Sequence, residues 1–316
     1  MTNIPLASWN NFEKSIYLFV EGEFDKEVLN CLFKDDPVIV EPLGSCHILR
    51  PVSSSPFISK QYSFFLIDRD HYPYCASVPT KLETKDQLIT WSKRELENYF
   101  LDADFLTQLP KNILNASKDE IEERTLEICQ KRFFCDVADY VMKSLRMEMR
   151  IVWDHLGSDA NKCLTREVAL KALLRVSNDS KGLLKQYQKH HLNDTSLRTL
   201  LNLKLDAWKT IQTGTIQLTE QAEIKQRFNY YHKLMAGDLT DRLVLGKGEW
   251  LNMTDGKKVL NELVNNTGFF LNDDTDVDVA KQNIVAKQLL QVPGVKLPGD
   301  FIVLKKKIKR RAQLII

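Results

Sequence analysis

The stretch Val20-Glu21-Gly22-Glu23-Phe24-Asp25 constrains this chain most. An apolar run, Ile16-Tyr17-Leu18-Phe19-Val20, leads into it, and Val28, Leu29, Leu32 and Phe33 follow at helical spacing. A run that stops at an acid and a glycine and then turns helical predicts a strand, a tight turn and a helix. Glu21 then stands at the carboxyl end of a buried strand, the edge where open α/β sheets bind ligands. A second apolar run, Ser63-Phe64-Phe65-Leu66-Ile67, ends in Asp68-Arg69-Asp70. Two such strand ends can point carboxylates into one crevice. Grouped carboxylates repel one another unless cations lie among them, and all-oxygen donors suit magnesium or manganese.

Further strands are predicted at Val38-Ile39-Val40 and at Leu88-Ile89-Thr90-Trp91. Asp35-Asp36-Pro37 stops the first helix, because proline cannot continue it. Residues 44–60 read as a loop with room for a short helix, residues 71–86 as another loop, and Ser92 to Leu101 turn helical. This alternation predicts an α/β fold with a mostly parallel sheet flanked by helices. Trp9 and Phe12 are expected to pack on the sheet. Beyond residue 105 the pattern changes to long helical periodicity over 117–150, 165–210 and 221–235, with Ile121, Ile128, Leu173 and Leu200 among its apolar positions. It predicts a large α-helical insertion or second lobe. Thr254 to Leu260 read as a turn feeding a helix, and another helix is expected from Asn272. The expected division is 1–105 for the main part of the core and 106–240 for a helical lobe suited to dimerisation. Residues 241–316 then complete the core and end in a basic tail.

A net charge of +2 excludes a polycation, so any nucleic-acid surface must be a local patch. Six cysteines without a CxxC pair argue against zinc and for a reducing cytoplasm, with the thiols as small core residues. The N-terminus lacks a signal-peptide pattern, and no apolar run approaches a membrane span. No Gly-x-x-x-x-Gly-Lys-Ser/Thr is present, so ATP dependence would have to come from a partner.

A strand ending in Val-Glu-Gly-Glu-x-Asp, followed by one ending in Asp-x-Asp, resembles the TOPRIM domain of topoisomerases, bacterial primases and OLD-type nucleases. Arg94-Glu95-Leu96-Glu97-Asn98-Tyr99-Phe100-Leu101 resembles the Glu-Asn-Tyr signature of the OLD-type group, and Gly256-Lys257 its late glycine–lysine step. The resemblance covers residues 16–102 closely and 254–262 loosely. Within that group the chain looks most like the TOPRIM effector of the PARIS anti-phage system. What the resemblance implies is a Rossmann-like TOPRIM core and a metal-dependent endoribonuclease. It would be held inactive by a partner ABC-type ATPase, and on release it would cleave host tRNA and halt translation, as a homodimer in the cytoplasm. An OLD-type DNA nuclease working with an ATPase stays open, as does a non-catalytic module that docks on the ATPase.

Two Mg2+ or Mn2+ ions can activate the attacking oxygen, stabilise charge on phosphorus and assist the leaving oxygen. Glu21, Asp68 and Asp70 are the expected ligands and catalytic carboxylates, with Glu95 and Glu97 for a second ion. Lys257 reads either as a fixed cation near the phosphate or as a solvated lysine at a helix start. Glu23 and Asp25 are expected to serve the helix N-terminus. Arg69, Arg94, Lys305, Lys306, Lys307, Lys309 and Arg310 are candidates for nucleic-acid contact, the basic run reading equally as a solvated face. Asp273 to Asp278 lack the glycine and glutamate of an EF-hand and read as helix capping. His190, His191 and His232 read as structural. Phe228, Tyr230 and Tyr231 read as a core stripe before a base-stacking platform.

Overall fold

The computed structural model describes residues 15–56, 58, 62–148, 163–177, 221–271 and 281–313. Trp9, Phe12, Leu200, the His190–His191 pair, the acidic run 273–278 and residues 314–316 lie outside these.

Strands β1 (Ile16–Val20), β2 (Val38–Pro42), β3 (Ser63–Ile67), β4 (Glu83–Lys85) and β5 (Leu88–Thr90) form one sheet in the order β2-β1-β3-β5-β4. β1 pairs in parallel with β2 and β3, and β3 with β5; only β4 runs antiparallel. The architecture is a mixed α/β fold of Rossmann-like class. The chain leaves β1 toward β2, then crosses back to β3 on the other side, so the strand order reverses between β1 and β3. Ligands bind at such a reversal, outside the carboxyl ends of the strands. Every residue of β3 is buried, as its unbroken apolar run requires. Strand β4 carries no such signal: Glu83, Thr84 and Lys85 are all exposed, so a loop is the natural reading of their sequence.

Helix α1 (Glu23–Leu32) buries Val28, Leu29 and Leu32 and packs on β2; α2 (Cys46–Ser53) packs on β3. The segment after β5 folds as a 3₁₀ helix, Leu96–Leu101, with all six residues buried. The short helix α3 (Ala103–Leu106) follows it, and the long α4 (Lys118–Glu148) comes next.

The chain divides into two compact units. The sheet unit runs to Asp70, resumes over Val78–Thr125 and takes the chain from Asp255 onward. The helical unit is His71–Ser77 with Leu126–Thr254, so its boundaries fall at 126 and 254 rather than at the expected 106 and 240. Pairing explains the later start: Leu114 bridges Phe270, which keeps the chain before α4 with the sheet.

In the sheet unit, α8 (Gly256–Asn266) packs on the 3₁₀ helix, and α9 (Lys281–Gln291) packs on α1 and α8. The last helix, α10 (Gly299–Gln313), includes the basic run, so the tail is helical. Its Phe301 packs at tilted and edge-on angles among Trp91, Tyr99 and Phe100, with ring centroids 5.5, 5.1 and 6.1 Å away.

The helical unit contains α5 (Arg166–Ser177), α6 (Gln221–Ala236) and α7 (Trp250–Met253). Phe228 and Tyr231 are fully buried core residues, and the Tyr231 hydroxyl donates to the Tyr72 carbonyl at 2.7 Å. They offer no platform to a base. His232 is buried among Phe133, Phe134 and Phe228 and pairs with Asp241 at 3.1 Å, a structural position.

Candidate functional site

Glu21 follows β1 and Asp68 follows β3, so the parallel pairing of these strands sets the two residues side by side at the strand-order reversal. One Glu21 oxygen accepts the Asp68 backbone N–H at 2.9 Å; the other accepts the Cys46 N–H, at the start of α2, at 3.0 Å. Asp70 lies on the same side: its carboxylate accepts the Cys46 thiol at 3.6 Å, and its charge reaches Glu21. The Asp70 backbone is left-handed, φ 61°, a conformation uncommon outside glycine. Its N–H donates to the Arg94 carbonyl at 2.9 Å, which fixes that turn. Glu21, Asp68 and Asp70 are thus brought together.

Beyond Asp68 the acidic group continues. Asp68 is almost fully buried; one oxygen accepts the Leu96 N–H at 3.2 Å, and the other faces the Lys257 ammonium at 3.7 Å. Glu95, at the N-cap of the 3₁₀ helix, and Glu97, within it, are buried, and Glu95 accepts the Lys257 backbone N–H at 3.1 Å. The Glu-Asn-Tyr triplet has a separate use for each residue. Glu97 joins the carboxylates. The Asn98 side chain accepts the Glu95 N–H at 3.0 Å. The Tyr99 hydroxyl donates to Asp300 of α10.

Gly256 allows the approach of α8. A Cβ there would meet the Asn98 side-chain oxygen at 2.6 Å and the Asn98 backbone nitrogen at 2.9 Å. Only a residue without Cβ lets Lys257 reach Glu95 and Asp68.

The electrostatics follow from burial and crowding. Burial, then Asp70, pushes Glu21 up to about 7 against the pull of its two backbone bonds. Burial pushes Glu97 up to about 8, with Lys257 opposing and Glu95 and Asp25 adding to it. Asp68 is held well above the ordinary range by burial and by Asp25, and Glu95 is raised by burial despite Arg94. Burial works against the Lys257 charge, but Asp68, Glu97, Glu95 and Asp25 outweigh it and raise the lysine. Its side chain is 56% exposed, so water weakens that pull.

Asp25 belongs to this group as well as to its helix. It accepts the Gly22 N–H at 3.0 Å, the capping role expected of it. Burial also lifts it to about 6, and it acts on Asp68, Glu97 and Lys257. Its place in the first turn of α1, directly after the strand end that carries Glu21, is the signal that could have placed it here. Glu23 is exposed and stays outside.

The basic candidates divide. Arg69 is buried, with Nε donating to the Trp91 carbonyl at 2.9 Å and Nη2 paired with Glu83 at 3.1 Å. Arg94 is buried beside Glu95 at 3.7 Å. Neither presents its guanidinium to a phosphate. Lys305 and Lys309 pair with Asp36 at 3.6 and 2.9 Å, whereas Lys306 and Arg310 are exposed. Lys307 is partly buried, and burial followed by Arg311 lowers its pKa.

Oxygen donors, crowded, desolvated and mutually repelling, have the chemistry that a hard divalent cation relieves. As placed, both Glu21 oxygens accept backbone N–H groups. Among the described residues, no three His, Cys, Asp or Glu side chains are grouped so as to hold a metal ion. No family model and no curated protein matches the sequence.

Proposed function

We propose that this chain is a TOPRIM-type, metal-dependent endonuclease. The observation that carries the reading is the meeting of Glu21 with Asp68 and Asp70 at the strand-order reversal, with Lys257 on the far side of Asp68. Glu21, Asp68 and Asp70 would hold one divalent ion and Glu95 and Glu97 a second, with Asp25 alongside; Glu21 would exchange a backbone bond for the metal. Such ions supply Lewis-acid activation of the attacking and leaving oxygens. The chain's own groups do the rest. Lys257 places positive charge where charge builds on the phosphoryl oxygens. Without metal, burial and neighbouring carboxylates push Glu21 and Glu97 up to about 7 and 8; cations bound among them would hold both ionised as ligands.

The substrate and the setting rest on the resemblance of the Val-Glu-Gly, Asp-x-Asp and Glu-Asn-Tyr segments to the OLD-type group and the PARIS effector. On that basis the enzyme cleaves host tRNA after release from a partner ATPase, as the toxic arm of an anti-phage abortive-infection system. Purified protein incubated with Mn2+ and either tRNA or duplex DNA tests it. Cleavage of tRNA that is lost in Glu21→Ala is the expected result. Cleavage of DNA alone moves the assignment to an OLD-type DNA nuclease. Cleavage unaffected by Glu21→Ala removes this site, and absence of any cleavage favours a docking module.

A further inference from the structure

A buried cysteine in an apolar setting is ordinarily a small core residue. Cys46 packs with Leu49, Phe65 and Ile67 in that manner. Its polar atoms do something else. The backbone N–H donates to Glu21 at 3.0 Å, and the thiol donates to Asp70 at 3.6 Å. One residue therefore holds a carboxylate from the end of β1 and another from the end of β3. The Asp70 end needs holding, because its left-handed backbone is a conformation that surrounding contacts must maintain.

We propose that Cys46 is a positioning residue: its thiol orients the Asp70 carboxylate while its backbone N–H orients Glu21. The claim rests on the metal-binding reading of this cluster and adds a donor outside the carboxylates themselves. An ordinary cysteine thiol is protonated at neutral pH, and the 3.6 Å contact places its hydrogen toward Asp70. Groups that hydrogen-bond metal ligands tune affinity about 10–100-fold.

The test compares Cys46→Ser, which keeps a donor, with Cys46→Ala and Cys46→Val, which lack one. All three keep the backbone N–H. Packing ranks them differently from hydrogen bonding, since a hydroxyl in this apolar cluster is the worst fit and valine the best. Mn2+ titration by calorimetry should give half-saturation about tenfold weaker in Ala and Val, with Ser within about threefold of the parent. Ser grouping with Ala and Val, or all three matching the parent, overturns the proposal. Hydrogen exchange without metal reads the tether by itself. The peptide covering Asp68–Asp70 should exchange about fivefold or more faster in Ala and Val than in the parent and Ser. Equal exchange in all four proteins overturns the tether. Parent protein that ignores Mn2+ but shows this exchange pattern leaves the tether standing and removes the metal reading.

Discussion

Glu21, Asp25 and Glu97 hold their protons to about 7, 6 and 8, against ordinary values of 4.5, 3.8 and 4.5. Between the ordinary and raised values the folded chain binds more protons than the unfolded chain. Stability therefore falls as pH rises across that window. Metal-free protein should show its melting temperature dropping from about pH 5 to about pH 8, and Glu97→Gln should flatten the drop. Mn2+ should raise the midpoint most at the upper end, where the carboxylates are most charged and most crowded. A midpoint that climbs over this range would contradict the assigned burial of these groups. At this scale the sequence is partly legible. Glu21, Asp68 and Asp70 are marked by apolar runs that stop at acids. Asp25 is obscured because a first-turn acid already has a sufficient role at the helix end. Cys46 is obscured because apolar neighbours describe its carbon and not its hydrogen-bonding atoms.

Two elements hold the site from a distance. Helix α8 delivers Lys257, and its approach depends on Gly256. Gly256→Ala should force α8 off the Asn98 segment and destabilise the protein by about 1–3 kcal/mol. Unchanged denaturant unfolding would show that the contact relaxes freely. Helix α10 delivers Asp300, whose carboxylate accepts the Leu82 and Ser92 N–H groups, each at 3.2 Å, and the Tyr99 hydroxyl. Asp300→Ala leaves the buried Leu82 N–H and Tyr99 hydroxyl without that acceptor, at about 1–3 kcal/mol each, and the half-buried Ser92 N–H at less. A loss of only a few tenths of a kcal/mol in urea unfolding would mean that water replaces the carboxylate. Both contacts escape a sequence reading for the same reason. Residues 99 and 300 are 201 apart, and no local pattern records which buried carboxylate will meet which hydroxyl. The strands and long helices are legible because each carries its own apolar period. Strand β4 is not, since pairing with β5 and not burial makes it a strand.

For the whole molecule, a net charge of +2 leaves nucleic-acid attraction to local groups. Of the seven basic candidates, Lys306 and Arg310 are both exposed and outside the pairings of Arg69, Arg94, Lys305 and Lys309. If the proposed tRNA substrate is right, charge reversal of Lys306 and Arg310 together should weaken tRNA binding and lower its salt dependence by about two phosphate contacts. An unchanged salt slope would place the nucleic-acid surface elsewhere. Among the described residues, no helix is long and apolar enough to cross a membrane. The central claim is that Glu21, Asp68 and Asp70 share a divalent cation. Anomalous diffraction from crystals soaked in Mn2+ tests it most directly. The account predicts a manganese peak bounded by oxygens of these three residues, lost in Glu21→Gln. Crystals at saturating Mn2+ with no peak there, and with Glu21 still bonded to the Asp68 and Cys46 amides, would contradict it.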